Sequence, residues 1–260
     1  MIPNSVVETV IENGVATVTL NNPPANLLTL QLMAELEKTI DDLAENKVVR
    51  AIVITGGGAL FAAGADVKVI ASIGSSSEGE ALALRGQALF HKIEQMKKPV
   101  IAAITGMCLG GGMELAMACH IRIAGDRTRM GQPEILLGIL PGFGGTQRLP
   151  RLVGRAKATE LILTGDKITA QEAKTIGLLN KVVAESDVLK EAQGMAKKIA
   201  GFGRSAVQAS LEAIHKASAH HLSDGCLFEA KQFGQICETT DMKEGVSAFI
   251  QKRQPKFQSE

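Results

Sequence analysis

The most informative part of the chain is residues 106–148, which read GMCLGGGMELAMACHIRIAGDRTRMGQPEILLGILPGFGGTQR. Three consecutive glycines, Gly110 to Gly112, open an apolar run that contains one carboxylate, Glu114. A second carboxylate, Glu134, follows Pro133 and again has apolar neighbours. A glycine-rich turn at a helix start, together with two acids in apolar surroundings, predicts an acid–base site.

The glycine triplet can be interpreted in two ways. A tight turn usually needs one glycine, whereas three allow backbone N–H groups to approach a ligand without hindrance from side chains. If a helix begins near Gly112, its positive end points at that ligand. Such an arrangement suits a developing oxyanion. The spacing alone leaves plain turn chemistry and an oxyanion site equally open.

The two carboxylates differ in how strongly the sequence marks them. Glu114 lies in the run MELAMAC, which is apolar on nearly every side, so we do not expect full exposure. A buried carboxylate has a raised pKa and can exchange protons near neutral pH. Glu134 is also compatible with an ordinary helix-start glutamate after a proline.

A second glycine-rich turn contains Gly56–Gly58 and Gly64 and precedes a second predicted helix, near Asp66. Two such turns could each supply one N–H group to a shared carbonyl oxygen. One donor of this kind is typically worth about 2.7–4 kcal/mol. The two turns together therefore predict a two-donor oxyanion hole.

Composition excludes several classes of function. The chain has 260 residues and is 45% hydrophobic, enough for one large domain or one domain with a small appendage. Its net charge is +1, which gives no global attraction to nucleic acid or to an anionic membrane. The absence of Tyr and Trp removes most stacking platforms for single-stranded nucleic acid.

The cysteines and the N-terminus predict a cytoplasmic protein. Four cysteines are scattered without a C-x-x-C pair: Cys108, Cys119, Cys226 and Cys237. Scattered cysteines in a chain of this length indicate thiols in a reducing compartment. The start, MIPNSVVETVIENG, lacks a basic region followed by an apolar run, so we expect no signal peptide. No stretch approaches the roughly 20 apolar residues of a membrane helix.

The order of the patterns predicts an α/β fold. Two β-branched runs flank Glu12-Asn13-Gly14, a strong hairpin signal, and Thr29 is placed to cap the next helix. AIVITGGG and VIAAITGM both run from an apolar strand into a glycine-rich turn, a weak repetition consistent with a spiral of such units. From about residue 185 the pattern is almost wholly helical. We predict a core of residues 1–195 and a helical region of residues 196–260.

Other motifs fail. G-x-S-x-G and G-x-x-x-x-G-K-[ST] are absent from the sequence, and GFGG at 142–145 is not a dinucleotide fingerprint. His220, His221 and Cys226 have no fourth partner at a usual metal-ligand spacing, so no metal is predicted. The C-terminal cluster FIQKRQPKF is either a solvated tail or a phosphate contact.

Six ordered segments resemble the enoyl-CoA hydratases of the crotonase superfamily over essentially the whole chain. They are PPANLL (23–28), FAAGADVK (61–68), KPVIAAITGMCLGGGMELAMACH (98–120), GQPEILLGILPGFGGTQRLPRLVG (131–154), TGDKITAQEAKTIGLLNKVV (164–183) and EGVSAFIQKRQPKF (244–257). The resemblance implies a crotonase-like spiral of ββα turns followed by helices that mediate trimerisation, often as a dimer of trimers. It also implies a coenzyme A thioester substrate and no separate cofactor.

The resemblance also implies residue roles. The backbone N–H groups of Ala65 and Gly111 would form the oxyanion hole, and Glu114 and Glu134 would be the catalytic glutamates. The expected substrate-binding and coenzyme A-binding positions are Pro24, Ala25, Leu27, Ala63, Asp66, Val67, Lys68, Gly110, Pro133, Leu140, Gly142, Phe249 and Lys252.

The implied reaction is the hydration of a trans-2-enoyl thioester to a 3-hydroxyacyl-CoA, in fatty-acid β-oxidation. A water lies between the carboxylates, with Glu114 as the base toward that water and Glu134 as the acid toward the α-carbon. The two acids can share these duties. PPANLL differs from the longer alanine–leucine version of some hydratases, which leaves the preferred chain length open.

Three other functions are compatible with parts of the sequence. Double-bond isomerases of the superfamily usually keep one of the two glutamates, so retention of both favours a hydratase. Hydration of a branched methylglutaconyl-type substrate stays open. An RNA-binding or scaffold role on the same fold is disfavoured by the near-neutral charge and the missing Tyr and Trp.

Overall fold

The computed structural model describes residues 5–217 and 221–258. The strands in these residues are β1 (Val7–Glu12), β2 (Val15–Leu20), β3 (Ala51–Gly56), β4 (Val100–Ile104), β5 (Met107–Leu109), β6 (Ile121–Gly125), β7 (Arg129–Gly131), β8 (Lys167–Thr169) and β9 (Lys181–Val183). The helices in the same residues are α1 (Leu30–Glu45), α2 (Val67–Ala71), α3 (Ser76–Glu94), α4 (Gly111–Ala118), α5 (Gly145–Val153), α6 (Arg155–Thr164), α7 (Ala170–Thr175), α8 (Val188–Ala200), α9 (Arg204–Ala217), α10 (Leu222–Ile236) and α11 (Thr240–Ile250). This mixture confirms the predicted α/β class.

The larger sheet has the strand order β1-β2-β3-β4-β6-β9. β1 and β2 form an antiparallel hairpin, and the later neighbours pair in parallel. The predicted hairpin turn is confirmed, because Asn13 and Gly14 have φ angles of 50° and 78°. Two central residues with positive φ are what a type I′ turn requires. Glu12 consequently belongs to β1 rather than to the loop.

Both faces of the larger sheet are covered. In β3, Ile52 and Ile54 join the cluster that contains residues of α1 and α3, whereas Ala51 and Val53 join the cluster that contains residues of α8. Parallel strands that are buried on both faces read as continuous apolar runs. This explains why the strand segment RAIVIT shows no polar alternation.

Helix α1 follows its sequence signals closely. The Thr29 side chain accepts a hydrogen bond from the N–H group of Leu32 at 3.2 Å, as an N-cap does. The predicted apolar face of α1 is buried: Leu32, Leu36, Ile40 and Leu43. Burial of this face holds α1 against β1 and α3.

A smaller sheet of order β5-β7-β8 was not predicted. Its strands have three residues each, too few for an alternating pattern to identify them. Single bridges connect Leu28 to Ala65 and Ala62 to Cys108. Through these bridges the loops that carry PPANLL and FAAGADVK lie beside β5.

Helix α8 connects the spiral to the C-terminal helices. Val188, Ala192 and Ala196 of α8 are buried against the larger sheet. The predicted boundary after residue 195 therefore falls inside a helix, and α8 ends at Ala200. The division into two regions stays a prediction. Across the described ranges, none of the helices is both long and apolar enough to cross a bilayer.

Candidate active site

The glycine triplet leads directly from β5 into α4. Gly110 has a φ of 51° and a ψ of −128°, a combination that glycine tolerates without strain. Gly112 is required for a different reason: a Cβ atom there would lie 2.3 Å from the carbonyl oxygen of Ala62. The triplet therefore allows α4 to begin in contact with the second glycine-rich turn.

The two predicted oxyanion donors lie next to each other. A Cβ atom on Gly111 would lie 3.5 Å from the backbone nitrogen of Ala65, and one on Gly64 would lie 3.9 Å from the nitrogen of Gly111. Two backbone hydrogen bonds hold this turn: Leu28 N–H donates to Gly64 O at 2.9 Å, and Ala63 N–H donates to Ala25 O at 3.0 Å. In the described chain, no backbone or side-chain acceptor uses the N–H of Ala65 or of Gly111. Two neighbouring N–H groups thus have no acceptor in the described chain.

Gly112→Ala is expected to lower the free energy of unfolding by about 1–3 kcal/mol, because the new methyl group collides with the backbone of Ala62. Thermal denaturation measures the loss. Gly194→Ala is the matched control, since Gly194 lies within α8 with no atom within 4 Å of an added Cβ. That control is expected to be neutral or stabilising. A Gly112→Ala protein that melts with the wild type would contradict the close approach.

Glu114 projects from the first turn of α4 into the interior and is 1% exposed. Its Oε1 atom accepts hydrogen bonds from the N–H groups of Phe143 (2.8 Å) and Gly145 (2.7 Å). Burial raises the pKa of Glu114 to about 7, although these two N–H groups act in the opposite direction. The nearby charge of Glu134 raises this pKa further. Glu114 can therefore gain or lose a proton near neutral pH.

The loop that holds Glu114 is anchored on α3. The Phe143 ring packs edge-on against Phe90, with ring centroids 5.8 Å apart. The same ring fills a notch at Gly86, where a Cβ atom would lie 2.3 Å from it. The Gln87 side chain donates to the carbonyl oxygen of Gly142 at 2.8 Å. These contacts fix the two N–H groups that orient the Glu114 carboxylate.

Glu134 lies in the 3-10 turn Pro133–Leu137 and is half-buried. Burial raises its pKa to about 6. Its Oε2 atom is buried and has no hydrogen-bond partner among the residues that the structure describes. Its Oε1 atom would lie 2.8 Å from a Cβ atom on Gly110. The second carboxylate thus lies directly beside the glycine triplet.

The smaller sheet brings the two halves of the site together. β5 and β7 are parallel neighbours, with Leu109 opposite Gly131. β5 continues into the glycine triplet and α4, and β7 continues through Gln132 and Pro133 to Glu134. A bond from Gly110 N–H to Gly131 O (2.9 Å) closes this edge. Both glutamates and one N–H donor therefore follow the carboxyl ends of two adjacent strands.

Gln132 was not among the site residues predicted from the sequence. Its side chain is 0% exposed, and its amide nitrogen donates to the carbonyl oxygen of Gly110 at 3.1 Å. Its amide oxygen is buried without a partner among the described residues. A Cβ atom on Gly145 would lie 2.4 Å from this oxygen and 3.0 Å from Glu114 Oε1. This oxygen can accept a hydrogen bond from a water or from a protonated carboxyl group in the site.

Asn26 was also missed. It is 2% exposed, has a φ of 47°, and its side-chain nitrogen lies 3.1, 3.1 and 3.2 Å from the carbonyl oxygens of Gly57, Leu60 and Phe61. Asn26 therefore holds the PPANLL loop to the second glycine-rich turn. An asparagine two residues after Pro23-Pro24 was the available signal, since asparagine tolerates positive φ.

The other predicted binding positions lie in three parts of the structure. Pro24, Ala25, Leu27 and Ala63 lie on the paired loops 21–28 and 61–65. Asp66 caps α2, since its Oδ1 atom accepts from the N–H of Lys68 at 2.9 Å. Val67 and Lys68 are exposed at the start of α2, and Leu140 is 64% exposed after the 3-10 turn of Glu134. Their contacts with coenzyme A stay predictions.

Phe249 and Lys252 lie near the C-terminal end of the described chain. Phe249 is 86% exposed near the end of α11, and Lys252 is exposed just beyond it. Within residues 5–217 and 221–258, neither side chain forms a hydrogen bond or an ion pair with either glycine-rich turn or either glutamate. Their role at the nucleotide stays a prediction.

Among the residues that the structure describes, no group of three His, Cys, Asp or Glu side chains could hold a metal ion. His220, one of the weighed metal candidates, lies outside the described residues. The four cysteines are free thiols.

Known proteins match this chain over nearly its whole length. The sequence model of the enoyl-CoA hydratase/isomerase family matches residues 10–260. A probable enoyl-CoA hydratase of Bacillus subtilis is 44% identical, covering 96% of this chain and 97% of its own. A short-chain-enoyl-CoA hydratase of Clostridium acetobutylicum is 43% identical, covering 93% of both chains.

Solved structures agree with the sequence matches. The crystal structure of an enoyl-CoA hydratase from Bacillus anthracis superposes with a TM-score of 0.94 at 38% identity, over 98% of this chain and 100% of that one. Both the expected crotonase-like architecture and the expected resemblance are thereby confirmed. The chain belongs to the enoyl-CoA hydratase/isomerase family.

Proposed function

We propose that this protein hydrates trans-2-enoyl-CoA thioesters to 3-hydroxyacyl-CoA. The observation that carries the proposal is the pairing of two carboxylates of raised pKa with two unused N–H groups at one edge of the small sheet. Hydration needs both parts, because water adds at one carbon while negative charge develops on the thioester oxygen. The relatives named as enoyl-CoA hydratases support the same activity.

The N–H groups of Ala65 and Gly111 would bind the thioester oxygen. They polarise the conjugated double bond and stabilise the enolate-like oxygen that develops when water adds at C3. The bond between water oxygen and C3 forms, the double-bond electrons move toward the thioester, and C2 receives a proton. The water loses one proton to a carboxylate, so atoms and charge balance over the cycle.

Glu114 is assigned as the base toward water and Glu134 as the acid toward C2. Burial raises the pKa of both carboxyl groups, to about 7 for Glu114 and about 6 for Glu134, so the pair can share one proton near neutral pH. The arrangement that the assignment requires is therefore accessible, and the roles reverse when the product is dehydrated.

The pH dependence of kcat/KM is expected to be bell-shaped, with its maximum between the pKa values of about 6 for Glu134 and about 7 for Glu114. Below that interval both carboxyl groups are protonated and no base is left. Above it both are ionised and no acid is left. The two pKa values that the profile reports belong to the coupled pair of carboxyl groups rather than to either residue. A flat profile from about pH 5 to about pH 9 would contradict a shared proton.

Loss of the ultraviolet absorbance of the 2-enoyl thioester tests the activity. Purified protein is mixed with trans-2-enoyl-CoA substrates from C4 to C16, which reports reaction and chain-length preference together. The proposal expects catalytic loss of absorbance for at least one chain length. No loss with any of them would contradict it.

The proposal also covers the substrate carrier, the oligomeric state, the compartment and the pathway. The substrate would be carried by coenzyme A, with no cofactor of the enzyme's own, in a cytoplasmic homotrimer or dimer of trimers that serves fatty-acid β-oxidation. An isomerase, or a hydratase of branched methylglutaconyl-type substrates, is the alternative within the same family. Retention of both glutamates favours hydration.

A further inference from the structure

A cavity lies at the C-terminal end of α4, opposite the proposed oxyanion donors at the N-terminal end of this helix. It has a volume of about 650 Å³ and is bounded by the C-terminal part of α4, the start of β6, and helix α9. Its walls are mostly aliphatic, with Met117, Leu152, Ile199 and a face of α9 contributing. Ligand pockets of proteins have this size and this apolar lining with a few polar groups. We call this cavity the α9 groove.

One polar group in the lining of the α9 groove is the guanidinium of Arg122, whose residue is 6% exposed. Its Nε donates to Leu178 O at 2.7 Å and its Nη1 to Cys119 O at 2.6 Å. In the described ranges its Nη2 donates to no acceptor, yet it is not among the fully enclosed unpaired atoms. Nη2 therefore has no acceptor among the described residues, and Arg122 is part of the lining of the groove.

The charge of Arg122 has no carboxylate partner within ion-pair distance in the described part of the chain. Glu94 also lines the groove, but it is paired with Arg148 at 3.0 Å. His120 brings no second cation: its Nδ1 accepts from the N–H of Val100, and burial lowers its pKa to about 4. A buried guanidinium is stabilised when an anion pairs with it, and a carboxylate fits its planar edge with two hydrogen bonds.

The apolar part of the groove runs along α9. Val207, Leu211 and Ile214 are spaced four and three residues apart, so they share one face of this helix. From Val207 to Ile214 the helix axis rises by about 10 Å. Ile214 is 70% exposed although it belongs to this face. An occupant with an anionic head and a hydrocarbon tail of comparable length would cover both parts.

We propose that the α9 groove binds a medium-chain fatty carboxylate, with the carboxylate on the Nη1–Nη2 edge of Arg122 and the alkyl chain along Val207, Leu211 and Ile214. This site is separate from the proposed catalytic site, which lies at the N-terminal end of α4. The carboxylate supplies the missing anion, and the tail removes the exposed aliphatic face from water.

A tryptophan reporter tests the proposal on the full-length protein. The chain has no Trp and no Tyr, so Phe202→Trp, at the rim of the groove, places one fluorophore there. Phe202 is 46% exposed, which leaves room for the larger ring. Decanoate is titrated at pH 8, and decanol serves as the uncharged probe. We expect a saturable change of the emission with decanoate and at least about tenfold weaker binding of decanol.

Two further arms make the outcome decisive. Arg122→Met in the reporter protein is expected to bring decanoate affinity down to that of decanol, whereas Arg122→Lys keeps part of the difference. Because Arg122→Met can also disturb folding, the comparison of decanoate with decanol on the unmutated arginine stands without it. Saturating butyryl-CoA, which fills the proposed catalytic site, is expected to leave decanoate binding unchanged.

Three results would overturn the proposal. The first is equal affinity for decanoate and decanol, which would remove any role for the charge of Arg122. The second is displacement of decanoate by butyryl-CoA, which would place the fatty acid in the catalytic site. The third is no emission change at any decanoate concentration below its micelle range, as expected if a second copy of the chain covers the groove.

Discussion

Glu114→Gln is expected to lower kcat for crotonyl-CoA hydration by about 10²–10⁴-fold, the usual contribution of a positioned general acid or base. Glutamine keeps the shape of the side chain and one oxygen that can accept from Phe143 and Gly145 N–H. It cannot take a proton from water, so the chemical step should slow while substrate binding changes little. Steady-state kinetics on the purified variant measure kcat and KM separately.

The stability of Glu114→Gln provides a control that does not depend on activity. The pKa of Glu114 is raised from 4.5 to about 7, so the folded chain holds a proton that the unfolded chain has already released. The contribution of this group to stability therefore falls as pH rises from 4.5 to about 7. Above that pH the variant is expected to be more stable than the wild type, by up to about 3 kcal/mol.

Glu134→Gln is the companion variant. It retains Glu114 but lacks the acid that faces the glycine triplet, and its kcat is expected to fall within the same range. The double variant should be little worse than either single one, since groups that act as a unit have non-additive effects. Full activity in both single variants would exclude the pair as the catalytic acids.

Gly111→Pro is expected to lower kcat by about 10²–10³-fold, the cost of losing one oxyanion-hole donor. Gly111 is the first residue of α4, a position where proline is well tolerated because the N–H group has no intrahelical partner. Proline removes this N–H group and leaves the N–H of Ala65 as the remaining proposed donor. Its ring also occupies space near the ligand oxygen, which adds to the loss.

Gly111→Ala separates the two effects of that change. Alanine retains the N–H group, and its Cβ would meet Leu28 Cδ1 at 3.0 Å and Phe143 Cδ2 at 3.3 Å, both on side chains. We expect a modest decrease in activity, far smaller than for proline, with a similar melting temperature in both variants. Equal losses for alanine and proline would indicate that packing, rather than the N–H group, matters at this position.

Local sequence signals predicted much of the fold. The Asn13-Gly14 turn, the Thr29 cap and the buried face of α1 each depend on neighbouring residues, and the structure confirms all three. The apolar context of Glu114 also predicted its burial correctly. In each case a pattern within one segment was sufficient.

The meeting of the two glutamates could not be derived from local patterns. It depends on β5 and β7, whose three residues each carry no periodic signal. Gln132 and Phe143 were missed for a related reason: their roles arise from contacts with Gly110 and Gly86, which lie far away in the sequence. The resemblance to the hydratases supplied the glutamate pair, but it did not identify what holds the pair in place.

Hydration in oxygen-18 water tests the central claim most directly. Purified protein is incubated with crotonyl-CoA in labelled water. The acyl-CoA products are then separated, and their masses are measured by mass spectrometry. The paired-carboxylate site predicts a product heavier by one labelled water, with the label in the 3-hydroxyl group. The Glu114→Gln variant is expected to form little of this product. Unchanged crotonyl-CoA, or a product of unchanged mass with a shifted double bond, would contradict it.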